Sequence, residues 1–416
     1  MKNLSTTILL LSLFAFYVNA GVKPAPQDSK AKQADSRNVN FYFENSASMN
    51  GYLSGDNNFL ITMHRIIGRL QNSPFNGYFV NTEEHKVNNL LQRIDSRNIK
   101  QGNTSQSDHR FIFTNAIRKA QNNNLSIVVT DGIYSVNGKS PAIVAEDIQI
   151  AFENALKENR IETVIIKLTS MFDGYYYSES CPPGQKTKFI KQNRPYYILL
   201  FGSSEVINNT LNNLKIEKLP GFNDMARFFI TDKMNINYTV ITKNTDIHGK
   251  IIPVPKYPKP GVEIHQIQAE RYENPGWFST TPTKDKYLQF GLAVNYNGLE
   301  LPNSYLTDIK NYNVTSDLDF HVTAVTAQDE EINGNNYTHI ITFRGVSSIF
   351  GDLSFVLENN MPGWITETGI NNDCDITGNE TQTYAFDELI KGITNAYKAV
   401  NNSDVYTNIN IQINPL

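Results

Sequence analysis

Between residues 39 and 214 the chain alternates short, almost wholly apolar runs with stretches whose apolar residues recur at helical spacing. Val39-Asn40-Phe41-Tyr42-Phe43, Gly77-Tyr78-Phe79-Val80, Leu125 to Val129, Val164-Ile165-Ile166 and Tyr196 to Phe201 are the strand predictions. Phe59, Leu60, Met63, Ile66, Ile67 and Leu70 fall on one face of a helix. So do Ile112, Ala116, Ile117 and Ala120, then Val144, Ile148, Ala151, Phe152, Ala155 and Leu156, and last Ile207, Leu211 and Leu214. A strand without polar alternation must be covered on both faces. Interleaved with one-sided helices, such strands call for a parallel sheet with helices on each side. The reading for residues 38–214 is therefore a doubly wound, Rossmann-like α/β domain, with any ligand expected beyond the C-terminal ends of the strands.

After residue 214 the texture changes. Pro253, Pro255, Pro258 and Pro260 enforce an extended passage. Runs at Val262–Ile267, Leu288–Tyr296, Leu318–Val325, Tyr337–Phe343, Leu353–Leu357 and Asn408–Ile413 are separated by Gly, Asn and Pro clusters. They predict a mainly antiparallel β-sandwich over 215–416. One helix over 384–400, with Phe386, Leu389, Ile390, Ile393, Ala396, Tyr397 and Val400 on one face, must pack on the sandwich or on the first domain.

The first twenty residues read as an export signal: Lys2, an apolar run from Ile8 to Val18, and Val18-Asn19-Ala20 before Gly21. Residues 21–37 are Lys, Gln, Asp, Ser and Pro, the composition of a flexible tether. No later run has the length of a transmembrane helix, so the mature chain is expected in the periplasm, on the cell surface or in the medium of a bacterium. A net charge of −4 without a basic block disfavours nucleic acid as partner. Two cysteines, Cys181 and Cys374, allow one disulfide that would clasp the two halves of the chain, or two buried thiols.

Glu44-Asn45-Ser46-Ala47-Ser48 follows the first strand directly, and Thr130-Asp131-Gly132 closes the apolar strand at Leu125–Val129. Two hydroxyls spaced by two residues project from one turn toward a common point. Carboxylates at the ends of neighbouring strands add charge, and a hard divalent cation takes about six such oxygens. The two segments resemble the signatures of the von Willebrand factor A (VWA) family, whose metal-ion-dependent adhesion site begins Asp-x-Ser-x-Ser. The resemblance covers residues 38–214. It implies protein recognition or scaffolding through Mg²⁺, with Glu44, Ser46, Ser48, Asp131 and a middle-loop hydroxyl as ligands and a partner's carboxylate in the last position. Glu44 stands where the family has Asp, one methylene longer. Thr104, Ser105 and Ser107 compete for the middle-loop role; Ser107 is favoured because Asp108 follows it, and Thr114 falls inside a helix.

The stretch from Thr169 to Arg194 departs from the family. Phe172-Asp173-Gly174-Tyr175-Tyr176-Tyr177 and Cys181-Pro182-Pro183-Gly184 carry turn signals, so an inserted hairpin or loop is expected where a helix would stand. Its aromatics would serve a partner or pack on the second domain. Ser46 and Ser48 also have a plain structural explanation as turn and cap residues, and Asp131-Gly132 as a turn.

The seven His residues do not cluster, and no zinc, phosphate-loop or nucleophile-elbow pattern occurs, so nothing positive argues for an enzyme. The other readings are a metal-assisted extracytoplasmic hydrolase, with His109 as the one nearby candidate base, and a structural subunit with a non-functional metal site.

Overall fold

A computed structural model describes residues 37–135, 140–181, 185–231, 236–243, 246–273 and 286–416. The export signal at 1–20 and all but the last residue of the tether at 21–37 lie outside them.

The first half is a seven-stranded mixed sheet. In chain order its elements are β1 (Val39–Glu44), α1 (Asn50–Ser54), α2 (Asn58–Leu70), β2 (Phe75–Val80), β3 (Glu84–Val87), α3 (Leu90–Asp95), α4 (His109–Lys119), β4 (Leu125–Thr130), α5 (Pro141–Glu158), β5 (Glu162–Tyr177), β6 (Lys186–Gly202), α6 (Ser204–Leu214) and β7 (Phe222–Phe228). The strand order is β3-β2-β1-β4-β6-β5-β7. Phe41, Phe43, Ile127 and Val129 bury against α2 on one face, while Tyr42 and Val128 bury with α4 and α5 on the other. The apolar runs are thus covered on both sides.

Only β2-β1-β4 is parallel, which corrects the wholly parallel sheet expected from sequence. β5 and β6 are one long antiparallel hairpin, and β6 inserts between β4 and β5. An apolar run covered on both faces looks the same whichever way its neighbour runs. Among the described residues between 169 and 194 there is no helix; residues 169–177 and 186–194 form the outer halves of β5 and β6, which extend past the sheet. Its inner face rests on α1 at a glycine-on-glycine contact: a Cβ on Gly174 would lie 2.7 Å from Gly51 Cα, and one on Gly51 would strike the Phe172 ring. Phe222–Phe228, which follows residue 214, completes this first sheet by pairing with β5.

The second half continues through β8 (Tyr238–Ile241), β9 (Lys250–Pro253), β10 (Gln266–Glu270), β11 (Tyr272–Glu273), β12 (Lys286–Val294), α7 (Asn303–Leu306), β13 (Tyr312–Val314), β14 (Phe320–Ile332), β15 (Asn335–Gly345), β16 (Gly351–Glu358), α8 (Gly363–Thr368), β17 (Gly369–Ile370), β18 (Thr383–Tyr384), α9 (Phe386–Asn401) and β19 (Val405–Pro415). One sheet is β13-β16-β19-β10-β9, and the other is β11-β12-β15-β14 with β8 beside β12. Within these two sheets pairing is antiparallel except between β10 and β19, and β17 and β18 form a separate parallel pair. Phe290, Leu292, Phe343, Phe355, Leu357 and Ile411 belong to the single core that both sheets enclose. The run expected at Val262–Ile267 begins later, at Gln266.

Helix α9 packs beside α5 on the first sheet, with Phe386, Leu389, Ile390 and Ile393 in the same buried cluster as Val144, Ile148 and Phe152. Phe386 stacks on Tyr197 of β6, ring centroids 3.8 Å apart. Arg227 of β7 pairs with Glu162 and with Glu300, joining the first sheet to the second half. Among the described residues, no helix is long and apolar enough to cross a membrane.

Candidate metal and ligand site

Three loops meet beyond the ends of β1 and β4. The first, after β1, carries Ser46 and Ser48 through a tight turn into α1, with Met49 N–H donating to Ser46 O and Gly51 N–H to Ser48 O. Asn45 anchors the middle loop to it: its side-chain amide donates to Ile99 O and Gln101 O, and its oxygen accepts from Asn81. Ala47 N–H donates to Thr104 O. Ser107 ends the middle loop and bridges to Ser135 after β4. Asp108 caps α4 by accepting from Phe111 N–H.

The five residues singled out from sequence converge here. Ser107 Oγ donates to Glu44 Oε1, and Ser48 Oγ donates to Asp131 Oδ2. Ser46 Oγ lies 3.0 Å from Ser48 Oγ. Since Ser48 spends its proton on Asp131, Ser46 is the donor in that contact. All five side chains belong to buried residues. Glu44, Ser46, Ser48 and Ser107 line a cavity of about 450 Å³, together with Thr104 and Ser105. Asp131 does not line it; it stands behind Ser48. Thr114 lies inside α4, as its position in the sequence implied.

Two further residues complete the wiring around Glu44. Thr130 Oγ donates to Glu44 Oε2 and accepts from Gly132 N–H. His109 is wholly buried, its Nε2 2.9 Å from Thr130 Oγ1 and 3.5 Å from Glu44 Oε2. A lone His at a helix start gives no periodic signal, so the sequence offered it only as a nearby candidate base and not as a partner of Glu44. It faces Glu44 and Thr130 and does not line the cavity, so the candidate base of the hydrolase reading stands behind Glu44. Gly132 is required: its φ is +72°, and a Cβ would strike the stacked rings of Phe386 and Tyr197.

The electrostatics follow from burial and this wiring. Burial raises the Glu44 carboxyl, but the hydrogen bond and charge of His109, then the Ser107 and Thr130 hydroxyls, outweigh it and hold Glu44 below its ordinary value. Burial pulls His109 down, yet the Glu44 hydrogen bond and charge, with Asp131 and Asp108 behind them, leave it raised. Asp131 is pushed up to about 7 by burial and by the Glu44 charge, against the Ser48 and Ile133 N–H donors and the His109 charge. Glu44 and His109 thus favour each other's charged forms, and Asp131 is a carboxylate short of positive charge.

The cavity's outer wall is the tip of the β5–β6 hairpin, including Tyr177, Ser178, Glu179, Cys181 and Gln185. Cys181 is disulfide-bonded to Cys374, the first of the two alternatives for this pair. Asp373 fastens the same tip: its carboxylate accepts from Tyr176 Oη at 2.9 Å, from Glu179 N–H and Ser180 N–H, and from Ser180 Oγ at 2.6 Å. Of the hairpin aromatics, Phe172 and Tyr176 are buried, whereas Tyr175 and Tyr177 are exposed.

Of the residues lining the cavity, Glu44, Ser46, Ser48 and Ser107 offer one carboxylate and three hydroxyls, with the Asp131 carboxylate behind Ser48, a set that fits a hard divalent cation. Among the described residues, no group of three or more His, Cys, Asp or Glu side chains is arranged to hold a metal, so any such site leans on its hydroxyls. No protein-family model matches the chain, and no curated protein or solved structure matches it either.

Proposed function

We propose that the chain is an exported protein-binding or scaffolding protein whose first half acts as a VWA-like domain, contacting its partner through a divalent cation, with Mg²⁺ the fitting ion. One observation carries this reading: Glu44, Ser46, Ser48 and Ser107, from two loops far apart in sequence, line one cavity at the ends of parallel strands, with Asp131 bonded to Ser48. Ser46, Ser48 and Ser107 would hold the ion, Glu44 and Asp131 would supply its counter-charge, and a partner's carboxylate would complete the set. The bound ion supplies a fixed positive charge that makes partner binding cation-dependent. The Cys181–Cys374 bond supports an oxidising compartment outside the cytoplasm. The antiparallel β6 argues for a divergent member, because the resemblance rests on the β2-β1-β4 part of the sheet.

Thermal unfolding with Mg²⁺ or Mn²⁺, against EDTA, tests it. An ion at a hundred times its Kd stabilises the fold by about 2.7 kcal/mol. A Ser46→Ala/Ser48→Ala double variant should fold and lose that gain. A wild-type protein indifferent to every divalent ion would favour a structural subunit with a dead site instead.

A further inference from the structure

The cavity is larger than an ion needs. A water occupies about 30 Å³ of liquid, so 450 Å³ exceeds a divalent ion with its six or so oxygen ligands. The cavity reaches the hairpin residues Tyr177, Ser178 and Glu179, where the wiring is incomplete. Ser178 is only 8% exposed, lines the cavity, and its Oγ has no hydrogen-bond partner. A buried hydroxyl left unpaired costs on the order of 1–3 kcal/mol, so it marks a place where a ligand atom or a water belongs. Beside it, Glu179 faces the Ser135 hydroxyl, and its carboxyl is raised by burial against the pull of that hydroxyl. The phenol ring of Tyr177 stands at the same wall. Among the described residues lining the cavity are two carboxylates, Glu44 and Glu179, and no Lys, Arg or His.

We propose that the hairpin wall is a subsite for an organic ammonium group, the end of a lysine side chain on the protein partner, held by the Glu179 carboxylate and the Ser178 hydroxyl. An ammonium has three donors and no acceptor, which matches a wall offering a carboxylate and an unpaired hydroxyl oxygen. The Tyr177 ring adds a face over which a cation can sit. Both sides of the wall are fastened: Asp373 accepts from the N–H groups of Glu179 and Ser180, and Gln185 donates to Cys374 O at 2.8 Å. Only the source of the ammonium rests on the protein-binding reading; the subsite itself stands without the divalent ion.

The probes are N-acetyl-lysine-methylamide and its uncharged counterpart N-acetyl-norleucine-methylamide, titrated into the full disulfide-bonded chain with EDTA and, separately, with Mg²⁺. Binding is read by calorimetry and by thermal shift. The lysine probe should bind saturably and the norleucine probe should not. Glu179→Gln should weaken the lysine probe about tenfold or more and Ser178→Ala several-fold, with both variants unfolding cooperatively and responding to Mg²⁺ as the parent does. Equal binding of the two probes, or a lysine response indifferent to Glu179→Gln, overturns the proposal and leaves only water at Ser178. A lysine response without any Mg²⁺ response removes the divalent-ion reading and keeps the subsite. The reverse pattern removes the subsite alone.

Discussion

Two buried aspartates differ in how fully their carboxylates are supplied with hydrogen-bond donors. Asp373 and Asp131 are 0% and 2% exposed, so desolvation alone does not separate them. Asp373 is surrounded by neutral donors: two backbone N–H groups, the Ser180 hydroxyl and the Tyr176 phenol. Asp131 has the Ser48 hydroxyl and the Ile133 N–H, and it feels the charge of Glu44. A carboxylate supplied on every side is a tether, and one supplied on two sides beside another acid is where an added cation gains the most. The donors count for more than the depth.

The largest effect is therefore expected at the tether. Asp373→Ala should cost about 4 kcal/mol in urea denaturation, because it strands several buried donors at once. A loss under about 1 kcal/mol would show that the tip is held by other contacts, and the contrast with Asp131 would collapse. Removing the neighbouring disulfide with Cys181→Ser/Cys374→Ser should cost about 3 kcal/mol, the middle of the range usual for a native disulfide. If the double serine variant still responds to Mg²⁺ as the parent does, the hydroxyl loops hold their geometry without the clasp. That outcome sharpens the division between tether and site.

Much of the site was legible because its signals are local. Ser46 and Ser48 follow one strand directly and Asp131 ends another, so a register argument suffices to bring them to one edge of the sheet. Ser107 was legible by its place before a helix that Asp108 caps. His109, Asn45 and Asn81 were not, since a single polar residue meets no period and its partner is set only by the fold. Asp373 is out of reach for the same reason, as its donors lie almost two hundred residues earlier. The direction of β6 was illegible on physical grounds: Tyr196 to Phe201 is buried on both faces, and such a run has the same composition in a parallel or an antiparallel ladder. β7 was missed because Phe222–Met225 is only partly buried or exposed, and its apolar content rises only toward Phe228. The C-terminal helix was found, but its seat on α5 follows from packing that no spacing encodes.

A smaller effect, and the most direct measure of the contrast, lies in the pH dependence of stability without divalent ions. Asp131 has a folded-state pKa of about 7 against 3.8 for the free side chain, so between these values the folded protein binds the proton that the unfolded chain has released. The contribution of Asp131 to stability then falls as pH rises from about 4 to about 7, the reverse of the usual salt-bridged aspartate. Asp131→Asn removes the titrating group and the repulsion from Glu44, so in EDTA it should flatten that slope and gain up to about 1 kcal/mol at pH 7.5. In Mg²⁺ the order reverses, because the parent gains the ion and the variant does not. Denaturation midpoints at pH 5, 6 and 7.5, with EDTA and with Mg²⁺, supply the comparison. An Asp131→Asn protein with the parent's slope in EDTA would mean that the carboxylate is as well supplied as Asp373, and that nothing at this edge of the sheet waits for a cation.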